Sequence, residues 1–144
     1  MMHPEHETAM SLDDPFDQVA EFHRRFGHPV ADRPQLLKSP RADGRVAWMR
    51  EEIDEFVEAT DVVDQADAMI DLIYFALGTL VEMGVRPGPL FDIVHGANMA
   101  KLWPDGAPRV REDGKTIKPP TWRDPAEALR AEIERQSGSG ASEP

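Results

Sequence analysis

The chain has 144 residues, 40% of them hydrophobic and only 7% aromatic, which suits one modest core and argues against a sheet protein. Its formal net charge is −11, the opposite sign to proteins that bind nucleic acid by neutralising phosphates. With no cysteine, disulfides, thiolate metal sites and cysteine nucleophiles are excluded.

Met1–Asp14 is polar and lacks the apolar region of a secretory leader. The most apolar run, Leu72–Val81, is too short to span a bilayer. A soluble, cytoplasmic protein with no membrane or nucleic-acid partner is expected. Residues 1–12 read as a disordered tail. Asp13-Asp14-Pro15 reads as a helix start, with Phe16, Val19, Phe22 and Phe26 at helical spacing until Gly27 and Pro29 stop the helix. A connector containing Pro29, Pro34 and Pro40 leads to a second helix over about 43–60, with an apolar stripe of Val46, Met49, Ile53, Phe56 and Val57.

The third helix, about 61–83, differs in kind. Met69, Ile70, Leu72, Ile73, Phe75, Ala76, Leu77 and Leu80 cover nearly its whole circumference, which predicts a buried central helix ended by Gly84 and Pro87. A fourth helix over about 89–101 turns Leu90, Phe91, Val94 and Ala97 inward. Residues 102–123 are irregular, with a tight turn at Asp113-Gly114 and a break at Pro119-Pro120. Asp124-Pro125 opens a short polar helix to about 136, and 137–144 is a Gly/Ser-containing flexible tail. The expected fold is an all-α bundle over 13–136, built on a central antiparallel pair of helices and completed by dimerisation, because a thin monomer cannot cover the third helix.

Glu51, Glu52 and Glu55 occupy an arc of roughly 100° beside the second helix's apolar stripe. Glu-rich helices are common, so this pattern alone says little. Asp64, Asp67 and Asp71 form one stripe of the third helix at i, i+3 and i+7. Asp64 suits an exposed place near the helix start. Asp71, inside Met69-Ile70-Asp71-Leu72-Ile73, would be a buried unpaired carboxylate unless a divalent cation relieves it. Several carboxylates with only oxygen donors point to Mg²⁺ or Mn²⁺. Glu82 lies on the same stripe but about 16 Å further along, and is expected as a surface charge. A di-iron bundle is excluded because no Glu has His three residues later; the nearest pair is Asp92 and His95.

These blocks resemble the all-α NTP pyrophosphatase superfamily, whose members include MazG-like enzymes, dimeric dUTPases and phosphoribosyl-ATP pyrophosphohydrolases. The similar segments are Arg50-Glu51-Glu52-Ile53-Asp54-Glu55, Asp67-Ala68-Met69-Ile70-Asp71-Leu72-Ile73-Tyr74, Val94-His95-Gly96-Ala97-Asn98-Met99-Ala100-Lys101, and residues 111–122 ending in Trp122. One departure stands out. The second motif is usually Glu-x-x-Asp, and Ala68 occupies the Glu position, with Asp67 as the substitute on the same face. The resemblance implies a Mg²⁺-dependent hydrolase that releases a monophosphate and pyrophosphate from a nucleoside triphosphate, with dUTP or a related non-standard dNTP as substrate.

It places Glu52, Glu55, Asp67 and Asp71 on the metal, Glu51 as second-metal ligand or general base, and Glu51 and Glu55 in catalysis. Asn98, Lys101, Lys118 and Trp122 are the candidate substrate contacts. Lys101, Arg109, Arg111, Lys115, Lys118 and Arg123 make segment 101–123 locally basic on an acidic protein, as a phosphate-gripping lid requires. Lys101 at a helix end also fits a snorkelling side chain. Trp122 either stacks on a base or pins the arm, with pinning favoured. Trp48 suits base stacking or a dimer contact, Tyr74 the core, and His95 a structural role. Two alternatives remain: a pyrophosphatase for phosphoribosyl-ATP or another nucleotide derivative, and an inactive helical module that binds a nucleotide or partner.

Overall fold

In the computed structural model, residues 10–138 are described; of the expected tails at 1–12 and 137–144, residues 1–9 and 139–144 lie outside these residues, while 137 and 138 belong to the last helix. Among the described residues, five helices follow in order: α1 Asp13–Phe26, α2 Arg41–Glu58, α3 Val62–Met83, α4 Pro87–Met99 and α5 Ala126–Gly138. The expected all-α fold is what forms. The chain makes two units, one through Pro87 and the other from Gly88.

The start of α1 is capped one step earlier than Asp13-Asp14 suggests. Ser11 Oγ accepts from the Asp13 amide at 2.9 Å, and the Ser11 amide reaches Asp14 Oδ2 at 3.4 Å, a reciprocal arrangement of the capping-box kind. Phe16, Val19 and Ala20 on α1 meet Leu77 and Val81 on α3, and this cluster is the core of the first unit. Full burial of each such aliphatic side chain contributes roughly 1.5–3 kcal/mol before entropy is counted. Phe26, expected on the inward face, is 66% exposed.

The connector after α1 is held by α3. The Ala31 and Gln35 amides donate to the carbonyls of Val81 and Met83 at 3.1 and 2.8 Å, satisfying acceptors that a helix end leaves open. Gly84 caps α3 at φ 73°, and a side chain there would run into the Arg33 carbonyl. At the other end, Asp61 caps α3 by accepting from the Asp64 amide at 2.8 Å. Residues 59–61 turn α2 back on α3, giving the expected helical hairpin.

The burial of α3 departs from expectation. Ala68, Leu77, Gly78, Val81 and Glu82 are buried, but Ile70 is 61% and Ile73 50% exposed. Val57 on α2 is 74% exposed, and Val46, Ile53 and Phe56 are also open. The reason is layering: α3 packs on α1 and α2, and these do not encircle it. The stripes on α2 and the middle of α3 therefore do not face this chain's own core. On α4, Leu90 and Ala97 are half-buried whereas Phe91 and Val94 are exposed. In the second unit, Gly114 at φ 87° and a bridge between Val110 and Thr116 form the tight turn expected at Asp113-Gly114. Among the described residues, no single helix is long and apolar enough to cross a membrane.

Candidate active site

The helical hairpin brings four of the expected carboxylates into one electrostatic group. Glu52 is the buried member, and its Oε1 is enclosed without a hydrogen-bond partner. Burial, then the charges of Glu55 and Asp71, a carboxyl–carboxyl hydrogen bond with Glu55 and the charge of Asp67, push the Glu52 carboxyl above the ordinary carboxylate range. Among the described residues, no basic side chain offsets this. Glu55 and Asp67 are exposed and line a groove with Glu58 and Asp64. Glu51 is exposed on α2 and stands outside the group acting on Glu52.

Two expectations change here. Asp71 is half-buried, so the carboxylate most deprived of water is Glu52 and not Asp71. Position 68 explains why its neighbour carries the charge: the Ala68 methyl is 1% exposed, while Asp67 points to the groove. Among the described residues, no group of three or more acids or histidines lies close enough together to hold a metal ion. The donor set still fits one, because an orphaned buried carboxylate oxygen beside three further acids is what a hard divalent ion relieves.

One turn further along both helices the chemistry reverses. Trp48 lies four residues before Glu52 and Phe75 four after Asp71, and their rings pair at 5.8 Å. They line a cavity of about 260 Å³ with Phe22, Tyr74, His23, His28 and Arg45. Tyr74 is 39% exposed and meets Phe22 edge-on at 5.7 Å, so it walls this cavity and does not belong to the core. Trp48 also carries the Arg41 and Arg45 guanidiniums over its ring, both at 5.3 Å.

Behind the cavity is the largest correction. Glu82 is 1% exposed and is not a surface charge. Arg41 holds it through two bonds of 2.8 Å, and Arg45 Nη1 adds a third at 3.0 Å. Burial pushes the Glu82 carboxyl up, but the hydrogen bond from Arg41 and the charges of Arg45, Arg41 and His23 bring it below its ordinary value. His23 Nδ1 is 2.8 Å from the Pro29 carbonyl and 3.9 Å from Glu82 Oε2. Burial first, helped by Arg45 and His28, lowers the His23 pKa against the opposing pull of Pro29 and Glu82. Sequence reading misses this network because Arg41 and Glu82 lie 41 residues apart and His23 lies further still from Glu82. One signal was available: Gly78 in mid-helix, the mark of a close approach.

In the second unit, Trp122 Nε1 donates to the Ala97 carbonyl at 2.7 Å, so the indole pins the arm. Lys118 and Lys101 place ammonium groups 4.4 and 5.7 Å from its ring centre. Lys101 is half-buried, and Asn98 and His95 are exposed.

An all-α fold with clustered carboxylates on a helical hairpin defines the class: a nucleotide pyrophosphohydrolase of the MazG and phosphoribosyl-ATP pyrophosphohydrolase type. Residues 19–98 match the phosphoribosyl-ATP pyrophosphohydrolase family, and the chain belongs to it. It is also similar to the crystal structure of a protein from Exiguobacterium sp. 255-15, provisionally described as an NTP pyrophosphohydrolase. Identity is 35% over 88% of this chain and 97% of that one, with a TM-score of 0.54. A comparison with curated proteins gives no match.

Proposed function

We propose that this enzyme is a divalent-cation-dependent nucleoside triphosphate pyrophosphohydrolase that opens the α–β phosphoanhydride, acting on dUTP or a related non-standard dNTP in nucleotide-pool sanitation. The observation carrying this reading is the buried, unpartnered Glu52 oxygen among Glu55, Asp67 and Asp71. Those four residues would hold Mg²⁺ or Mn²⁺, with Glu51 available as a further ligand. The ion would neutralise triphosphate oxygens and acidify a water molecule.

The protein's own contribution is position and proton handling. With a base in the aromatic cavity, the phosphates extend one helical turn, about 6 Å, towards the carboxylates. Water attacks the α-phosphorus, the bond to the bridging oxygen breaks, and pyrophosphate leaves. Glu51 or Glu55 takes the proton from the attacking water. In the second unit, Asn98, Lys101, Lys118 and Trp122 stand as candidate substrate contacts, with the Trp122 indole also holding the arm.

Pyrophosphate release from a panel of dNTPs and NTPs with Mg²⁺ or Mn²⁺ tests the reading. Release that depends on the metal and is lost in Asp71→Asn is expected; no release from any nucleotide sinks it and leaves an inactive binding module. The family match gives phosphoribosyl-ATP a place in the same panel as the alternative substrate. Lys101→Ala is expected to raise KM while sparing metal affinity by calorimetry. We further propose that a second copy covers the open apolar surface at Val57, Val62, Val63, Ile70 and Ile73, giving a homodimer or a dimer of dimers. Sedimentation as a monomer at micromolar concentration would refute that. The acidic charge and the absence of cysteine suit a cytoplasmic enzyme without nucleic-acid or membrane partners.

A further inference from the structure

We infer that His23 and Arg45 make the aromatic cavity selective for bases whose ring edge carries an N–H beside a carbonyl (uracil, thymine, hypoxanthine, guanine) over cytosine and adenine. This rests on the nucleotide reading above and deepens it.

The argument begins with the tautomer of His23. A carbonyl only accepts, so the Pro29 oxygen 2.8 Å from Nδ1 fixes the ring proton on Nδ1. Burial and the neighbouring charges of Arg45 and His28 disfavour a second proton, against Glu82 and the Pro29 carbonyl. Nε2 is then a lone pair, and among the described residues it has no hydrogen-bond partner. Arg45 is the opposite kind of group, since a guanidinium only donates. Its Nε donates to Thr79 Oγ1 at 3.1 Å, Nη1 to Glu82 and Nη2 to the Phe75 carbonyl at 2.8 Å. Nη2 retains a second N–H.

Gly78 sets these two groups side by side. A methyl group on its Cα would overlap Arg45 Nη2 and come 2.8 Å from His23 Nε2, so the bare backbone lets both converge at one point on α3. Both residues line the cavity. A lone pair next to an N–H is complementary to the edge of a lactam, whose N–H and carbonyl pair with His23 and Arg45 respectively. The corresponding edge of cytosine or adenine is a lone pair next to an amino group. It would set lone pair against lone pair and N–H against N–H. Mismatch of this kind in an aromatic pocket discriminates more strongly than shape does.

The test compares turnover of dUTP, dITP, dCTP and dATP by the full-length protein with Mg²⁺, in wild type, His23→Met and His23→Gln. Wild type is expected to favour dUTP over dCTP, and dITP over dATP, by roughly tenfold or more in kcat/KM. His23→Met should collapse both ratios, while His23→Gln, whose amide oxygen restores an acceptor, should recover part of them. N3-methyl-dUTP with the wild-type protein removes the ring N–H without any substitution and should lose at least tenfold against dUTP. That arm decides the matter even where His23→Met does not fold. Turnover without base preference, ratios unchanged in a folded His23→Met, or undiminished turnover of N3-methyl-dUTP would each overturn the inference and leave the hydrolase reading standing. No turnover of any nucleotide would remove both.

Discussion

The α2–α3 hairpin carries two acidic centres with opposite fates, Glu82 near the C-terminal end of α3 and Glu52 on α2. At the C-terminal end of α3, Glu82 is 1% exposed, yet two guanidiniums hold it and it stays charged below its ordinary pKa. Towards the N-terminal end, Asp71 and Asp67 face Glu52 and Glu55 across the hairpin, and the buried Glu52 is pushed up without any basic neighbour. The deeper charge is therefore the settled one. Compensation, and not depth of burial, separates a structural carboxylate from one poised for a cation, and perturbation of the second kind marks functional sites.

Substitution at the two ends should have opposite signs. Glu82→Ala leaves Arg45 enclosed without its partner and should cost about 3–5 kcal/mol, read as a lowered urea midpoint. A loss below about 1 kcal/mol would mean that the network is ornamental. Gly78→Ala drives a methyl group into Arg45 and His23, and overpacking of this kind should cost about 1–3 kcal/mol. Glu52→Gln should do the reverse: it relieves like-charge repulsion and should leave stability unchanged or raised by about 0.5 kcal/mol. Divalent-ion binding and turnover should fall together in that variant. Marked destabilisation by Glu52→Gln would make Glu52 a structural carboxylate and erase the contrast.

The finest test is pH. His23 has a folded-state pKa below its ordinary 6.5, so the unfolded chain takes up the proton first. Its contribution to stability is complete above 6.5 and is lost as pH falls towards the folded value. Glu82 behaves alike below 4.5. Glu52 has the opposite sign: its folded pKa lies above 4.5, so repulsion at the acidic end eases as pH falls through that folded value. Thermal midpoints between pH 7 and pH 4 should thus drop less steeply in His23→Gln and more steeply in Glu52→Gln than in wild type. Parallel curves for all three proteins would contradict these assignments.

Much of the site was legible because its signals are local. Glu51-Glu52-x-x-Glu55 and Asp67–Asp71 share helix faces through the helical repeat alone, and the hairpin between them follows from Asp61 and the short turn. The turn at Asp113-Gly114 and the pinning role of Trp122 were equally readable. Other signals mislead. Glu82 looks like a surface charge because its partners, Arg41 and Arg45, come from another helix. Asp71 reads as the buried carboxylate, whereas Glu52 is the buried one. Tyr74 suits the core by pattern but walls a cavity. The apolar girth of α3 reads as burial, although α1 and α2 leave Ile70 and Ile73 open.

By itself, the sequence determined the helices, the glycine stops of α1 and α3 and which carboxylates share a face, because each follows from the 3.6-residue repeat and from terminal groups that need nearby partners. Only the tertiary structure decided which acid is compensated, where His23 and Arg45 meet over Gly78, and which apolar faces remain open. Those outcomes depend on distances between segments far apart in the chain, and a charge or a lone pair takes its meaning from whichever group packing brings beside it.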